Sequence, residues 1–378
     1  MQLLYASLAR RASAVLLLLL TVHGIQAAAA AGTEEEPART VVDMLDRQVT
    51  LPASVERIAT VNVDAFRIAL HLGAEEQLVG IPSNMFGSRF AQDKPIEARA
   101  FEAIDEVTQI GGGQPGSEVN LERVLATEPD VLLYWSFSRR DDAAALVDRV
   151  ERLERQLGVP VVALNTLSGE ADPEAAVPET IETAYRLMGE ITGREARADE
   201  LLESYSETVD WVQARIAEED PSPARIYLGH RSNLYNAVTD YLPVKQLGAE
   251  LVSADRRGVG DGEVHPEELV AWDPEHIFLH TPSQASRVAI DEVLDDERLA
   301  GVTAVAEGNV HRFKGTYMGW DVATGLIDLL HMAKILYPEA MAGVDLSEKG
   351  RAILERFYGD SELYEHLEAQ SSLAAGRR

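Results

Sequence analysis

Short apolar runs alternate along the chain with stretches in which apolar residues return every third or fourth position. Arg57-Ile-Ala-Thr-Val61, Val79-Gly-Ile81, Val131 to Tyr134 and Val161 to Leu164 read as buried strands. Asp64 to Leu72, Leu121 to Ala126 and Ala143 to Leu157 read as the helices between them, and Thr40 to Pro52 as an opening hairpin around Asp46-Arg47. Such alternation predicts a parallel sheet covered by helices on both faces. The spacing of Ile181, Ala184, Leu187, Met188 and Ile191 predicts a helix from Pro178 to Gly193, with Pro178 suited to its first turn. A second helix, Glu195 to Glu218, ends at Asp220-Pro-Ser-Pro223, after which Arg225-Ile-Tyr-Leu-Gly229 opens a further strand.

The pattern is used twice. Asn120-Leu-Glu-Arg-Val-Leu-Ala-Thr-Glu-Pro-Asp-Val-Leu-Leu-Tyr134 aligns with His265-Pro-Glu-Glu-Leu-Val-Ala-Trp-Asp-Pro-Glu-His-Ile-Phe-Leu279, matching Glu122 with Glu267, Ala126 with Ala271 and Pro129 with Pro274. Each copy predicts a short amphipathic helix that starts with a glutamate in its first turn and leads into a strand. A second echo pairs Leu72-Gly-Ala-Glu-Glu76 with Leu247-Gly-Ala-Glu-Leu251. The expectation is therefore an α/β protein of two related lobes, with the ligand cleft between them. The lobes are expected over residues 40–170 and 222–340, a connecting helical segment over 177–219 and a C-terminal helical tail over 341–378.

Residues 1–31 stand apart. Arg10 and Arg11 precede an apolar run from Ala12 to Leu20, and Gln26 to Gly32 is made of small residues suited to cleavage, the order of a secretory signal. The apolar run is too short to cross a bilayer. The 378 residues include no cysteine, which excludes disulfides, thiolate metal sites and a lipidated cysteine anchor. A soluble periplasmic protein is expected. The 34 basic against 63 acidic residues give a net charge of −29, which argues against nucleic acid as a partner. The acidic residues are scattered, and the plain reading of the charge is solubility.

No nucleophile elbow, nucleotide fingerprint or nucleophile–base pair is present, so an enzyme is not expected. Gly111-Gly-Gly113 is not followed by a helix opening in Lys-Ser or Lys-Thr, and reads as a flexible turn at the lobe edge.

The chain resembles the periplasmic substrate-binding proteins of ABC importers for ferric siderophores, cobalamin and related metal chelates. The resemblance rests on Asp46-Arg-Gln-Val-Thr-Leu-Pro-Ala-Ser-Val-Glu-Arg-Ile58, Asn120-Leu-Glu-Arg123, Glu267-Glu-Leu-Val-Ala-Trp-Asp-Pro274 and Ala333-Lys-Ile-Leu-Tyr-Pro-Glu339. It implies two Rossmann-like lobes joined by a single long α-helix, which restricts closure to a small hinge motion. It also implies a monomer that captures a ferric siderophore, cobalamin or haem, without a resident cofactor, and delivers it to a permease dimer with its ATPase subunits. In the resemblance, Glu122 and Glu267 take the places of the glutamates that dock with the two membrane subunits. A local helix-end role is the competing reading.

Loops after the strands of a doubly wound sheet are the candidate ligand contacts. These are Asn62 and Asp64, then Ser83, Asn84, Met85 and Phe86, and Tyr134, Trp135 and Ser136 in the first lobe. In the second they are His230, Arg231 and Ser232, His280 and Thr281, and Tyr317, Met318 and Trp320. Asn62, Met85, Tyr134, Trp135, Arg231, Tyr317 and Trp320 form the expected chelate site, the aromatic and thioether groups giving wide contact faces and Arg231 a countercharge. Core packing is the open alternative for the tryptophans and the favoured one for the methionines. Siderophore binders often carry several arginines, whereas only Arg231 falls at a cleft position here. His230 and His280, with Asp64 or Asp321, are the alternative as direct metal ligands, and an oxyanion such as molybdate is a further alternative cargo.

Overall fold

The computed structural model describes residues 37–83, 95–113, 115–138, 141–166, 177–230, 233–256, 263–279, 289–315 and 321–373. From Arg39 onward the chain forms one compact unit. The antiparallel hairpin β1 (Arg39–Val42) and β2 (Gln48–Leu51) turns at Asp46, whose φ of 58° is left-handed. There follow β3 (Ile58–Thr60), α1 (Val63–His71), β4 (Leu78–Ile81), α2 (Ile96–Ala100), β5 (Thr108–Gln109), α3 (Leu121–Ala126), β6 (Val131–Trp135), α4 (Ala143–Leu157) and β7 (Val161–Leu164). The five strands from β3 to β7 make a parallel sheet in the order β5-β4-β3-β6-β7.

Two helices, α5 (Pro178–Thr192) and α6 (Glu195–Glu219), lead to the second lobe. It contains β8 (Arg225–His230), β9 (Asn233–Ala237), α7 (Leu242–Gln246), β10 (Glu250–Leu251), α8 (Pro266–Trp272), β11 (His276–Leu279), α9 (Ile290–Leu294), α10 (Thr303–Ala306) and β12 (Val310–Arg312). Its parallel strands run in the order β10-β8-β11-β12, with β9 returning antiparallel on β8. The order β4-β3-β6-β7 in the first lobe is thus repeated as β10-β8-β11-β12, and of these four the first in sequence lies between the second and the third. That juxtaposition is the switch point at which a doubly wound sheet opens a crevice at the carboxyl ends of its strands.

The repeat extends to hydrogen bonds. Arg57, just before β3, donates to the carbonyls of Thr127 and Glu128 at the end of α3, while Asp130 accepts from the Glu56 and Arg57 amides, each at 2.8 Å. Arg225, at the start of β8, donates to the carbonyls of Trp272 and Asp273 at the end of α8, and Glu275 accepts from its amide at 2.8 Å. Glu128 and Asp273 both sit at φ 44°, the left-handed position just past each helix. The echo at Gly73 and Gly248 is equally literal. Each ends a helix at φ 67° and 65°, with the following alanine amide reaching back to Ala69 or Val244, so the same helix-stop motif recurs.

The helix expected from Pro178 to Gly193 is α5, and through left-handed Gly193 it is folded back beside the 25-residue α6, expected over Glu195 to Glu218. The crossing is close because Gly189 has no side chain; a Cβ there would stand 2.9 Å from that of Ala198. The C-terminal segment is more than a tail. After α11 (Val322–Leu336), α12 (Leu346–Tyr358) packs on α11 and on α1, and α13 (Leu363–Leu373) packs on α12 and α2, so the chain returns to the first lobe. One apolar core consequently runs from Ile58 and Leu133 through Leu329 and Phe357 to Ile226, Leu228 and Phe278 on one face of the second sheet. The other face, with Tyr227, Ile277 and Leu279, closes over a smaller cluster, as strand alternation dictates.

The glycine triplet does not behave as a flexible edge turn. Gly113 donates its amide to the carbonyl of Val61 at 2.7 Å, and Gly112, at φ 74°, lies so close to Val61 that a Cβ would overlap it. Glycine is required there by contact with the chain leaving β3.

Because Arg57 and Arg225 fill equivalent roles, Arg57→Ala and Arg225→Ala are each expected to lower stability by about 1–2 kcal/mol, the range for losing a helix-end cap with its hydrogen bonds. Urea unfolding of the two variants checks this. A substantial loss in one variant with none in the other would show that the two clamps are not equivalent.

Candidate functional site

The carboxyl ends of β3 and β6 are stitched by Asn62. Its side-chain oxygen accepts from the Asp64 and Ala65 amides, capping α1, while its nitrogen donates to the carbonyls of Tyr134 and Leu164 at 3.1 and 2.5 Å. With 0 % of its surface exposed and all four hydrogen-bonding positions in use, Asn62 holds β3, β6, β7 and α1 together and has nothing left for a ligand. The expectation that it contacts ligand is corrected: it braces the carboxyl ends of these strands.

Tyr134 and Trp135 end β6, but only 2 % and 4 % of their surfaces are exposed. Burial raises the Tyr134 phenol above its ordinary pKa, with the charge of Arg149 pulling it back. The Trp135 ring meets Phe137 edge-on at 5.9 Å, and its indole N–H is buried without a hydrogen-bond partner among the described residues. The sequence-based expectation of broad exposed aromatic faces is therefore not met on this strand. Ser83, after β4, is half-buried and exchanges hydrogen bonds with Gly111: its amide donates to the carbonyl, and its hydroxyl accepts from the amide at 2.7 Å. Of the other expected contacts, Met85, Arg231, Tyr317, Trp320 and His280 lie outside the described residues, as do Asn84, Phe86, Ser232, Thr281 and Met318. His230 closes β8, and only its backbone is described.

Asp64 and Asp321, considered as metal ligands, belong instead to a buried polar network that the sequence did not reveal. Asp64 accepts at Oδ2 from the amide and hydroxyl of Thr166 at 3.0 and 2.9 Å, and burial raises its carboxyl above the usual range against the pull of Thr166 and Arg67. One turn along α1, Arg67 is 2 % exposed and donates to Glu97 on α2 at 2.5 Å. A further turn along, His71 has Tyr185 Oη 2.6 Å from Nδ1 and Asp321 Oδ1 3.2 Å from Nε2. Asp321 caps α11 through the Thr324 amide and accepts from Tyr358. Burial alone would raise its carboxyl, but His71 and Arg67 overcome that and hold it at about 2. Both aspartates thus carry structural duties. Among the described residues, no group of three or more His, Asp or Glu side chains is placed to hold a metal ion.

Glu122 and Glu267 are both exposed, in the first turns of α3 and α8. Asn120 caps α3 by accepting from the Arg123 amide, and Glu268 does part of this work for α8 by accepting from the His265 amide. Neither Glu122 nor Glu267 is needed as a helix cap.

The segment entering residues 316–320 is fixed by Asp328 on α11. Its carboxylate accepts from the Lys314 and Gly315 amides at 2.8 and 3.0 Å and from Tyr241 Oη at 2.8 Å. Burial pushes it up to about 6, more than these hydrogen bonds and the Lys314 charge recover. A carboxyl whose pKa is higher folded than unfolded stabilises the fold fully below its unfolded value, and that stability is lost as pH rises through about 6. Asp328→Asn is therefore expected to match the parent protein near pH 4 and to exceed it at pH 7.5 by on the order of 2 kcal/mol in urea unfolding. A variant less stable than the parent at pH 7.5 would contradict the assignment.

Comparison with known proteins agrees with this architecture. The molybdate-binding protein MolA of Haemophilus influenzae is 23% identical over 347 residues, covering 85% of this chain and 92% of MolA. The structure of MolA bound to molybdate superposes with a TM-score of 0.67 at 21% identity, over 85% of this chain and 98% of that one. The ferri-bacillibactin complex of FeuA, a triscatecholate siderophore binder from Bacillus subtilis, superposes with a TM-score of 0.57 at 15% identity, over 80% and 100%. A periplasmic solute-binding protein from Veillonella parvula reaches a TM-score of 0.68 at 17% identity, over 89% and 98%. The model of the periplasmic binding protein family matches residues 58–317. The chain belongs to that family: it is a solute-binding protein of the ABC-transporter type and not an enzyme.

Proposed function

We propose that the protein is exported, loses its signal between about Ala27 and Gly32, and works in the periplasm, capturing a compact metal oxyanion of the molybdate class for an ABC importer. The observation that carries the ligand reading is the end of β6. Tyr134 and Trp135 are packed in the core and offer a bulky chelate no face, while the Trp135 indole N–H is buried and has no partner among the described residues. A buried donor without an acceptor is costly, and an oxyanion supplies the acceptor. MolA, whose alignment spans most of both chains, binds this class. Among the described residues no helix is long and apolar enough to cross a membrane, and the chain has no cysteine to carry a lipid, in keeping with a free periplasmic form.

A second reading, a ferric siderophore or related chelate, is favoured by Met85, Phe86, Tyr317, Met318 and Trp320, a concentration of aromatic and thioether residues in two short stretches of the sequence. In either reading the permease dimer docks on the exposed Glu122 and Glu267, one acid from each lobe.

Isothermal titration decides between the ligands. Molybdate and tungstate are expected to bind and sulfate and ferric tris-catecholates to fail, with Trp135→Phe losing roughly tenfold in affinity as one hydrogen bond to a charged acceptor disappears. Tight binding of a ferric chelate by a protein indifferent to molybdate and tungstate would establish the second reading instead.

A further inference from the structure

Among the described residues three large apolar side chains stand well exposed: Val42, Leu125 and Val270, with 59 %, 46 % and 39 % of their surfaces accessible. Single exposed apolar residues are ordinary. Two of these, however, are the same position of the duplicated unit. Leu125 on α3 and Val270 on α8 are related by the offset that aligns Glu122 with Glu267, and each lies three residues beyond its glutamate. Residues three apart on a helix are neighbours on one face, so each lobe presents a carboxylate and an apolar side chain one turn apart. Packing of the helices does not call for Leu125 or Val270, because Val124 and Leu269 fill the inward position, both at 0 % exposure. The clamps from Arg57 and Arg225 fix the far end of each helix in the same way.

We infer that Glu122 with Leu125 and Glu267 with Val270 form two equivalent docking patches for the paired membrane subunits of the importer, each glutamate meeting a cation and each apolar side chain an apolar notch beside it. This deepens the docking reading given above and rests on it. The occupant follows from the duplication: two like patches on one chain fit a partner built of two like chains, which meets each with the same surface. The two components divide the work. The carboxylates accelerate encounter and make it salt-dependent, whereas burial of Leu125 and Val270 prolongs the complex.

The test is surface plasmon resonance of ligand-loaded protein on the importer's membrane subunits, with their ATPases, in nanodiscs at low and high salt. The double variant Leu125→Ser with Val270→Ser is expected to dissociate roughly tenfold faster or more, with the salt dependence of association unchanged. Glu122→Lys with Glu267→Lys should associate slowly, and Val42→Ser, off the patches, should behave like the parent. Ligand affinity and melting temperature should be unchanged throughout. If the apolar double variant dissociates like the parent while charge reversal abolishes docking, the inference is overturned and the docking reading stands. If charge reversal also docks normally, the docking reading falls and the inference with it. A parent that is dimeric in sedimentation, and made monomeric by the Leu125 and Val270 changes, would assign the patches to a second copy of this chain and overturn the inference.

Discussion

A guanidinium closed off from water dictates much of the arrangement around it. Arg67 is buried, its Nε–H is bonded to Glu97, and both of its terminal nitrogens lack a hydrogen-bond partner among the described residues. Burial alone would favour the neutral form, yet the charges of Glu97 and Asp321 raise its pKa, so the cation persists only where carboxylates surround it. Those carboxylates come from separate parts of the chain: Asp64 from α1 itself, Glu97 from α2 and Asp321 from the start of α11. Removing one partner of such a buried pair typically costs about 3–5 kcal/mol, so the three segments are held in one relative placement. Through Asp321, the helix that follows the second sheet is keyed to the first lobe, and Tyr185 and Tyr358 complete the contact around His71.

Packing reinforces the keying. Two helices, α5 and α6, cross closely at Gly189, and the C-terminal helices return to pack on α1 and α2. One apolar core is shared across these elements. Within each lobe the same devices recur: a strand order that opens a crevice, a left-handed residue after the short helix, and an arginine reaching back to its final carbonyls. The surface consequence is a pair of like-built helix tips, each presenting an acid and an apolar side chain.

Much of this was legible in the residues. The limits of α3, α4 and β7 fall where the periodicity and breakers put them, because each has strong local signals: Asn120 and Asp142 as caps, and Gly158 as a stop. The repeat at Asn120 and His265 was visible as text, and proved to be a repeat of hydrogen bonds. Arg57 and Arg225 escaped notice although each immediately precedes the isoleucine of its lobe's first strand, a shared dipeptide that was the available signal. The short elements β5, β9, β10, α9 and α10 carry too few residues to show a period, and their existence depends on neighbours distant in sequence. The site was read less well for a physical reason. Position after a strand indicates the cleft edge but does not say which side chains turn inward, so Asn62, Tyr134 and Asp321 were taken for ligand groups when burial commits them to the framework. Nothing in the local sequence sets Arg67, His71 and Glu97 apart, and only tertiary packing makes them a network.

The central claim is that ligand is held between the two copies of this unit, and hydrogen–deuterium exchange with and without molybdate tests it most directly. Binding between the lobes slows exchange at the carboxyl ends of strands on both sides, in peptides spanning Ser136 and Thr166 of the first lobe and Leu279 and Lys314 of the second. Protection confined to one lobe, or displaced to the opposite ends of the sheets, would contradict the account.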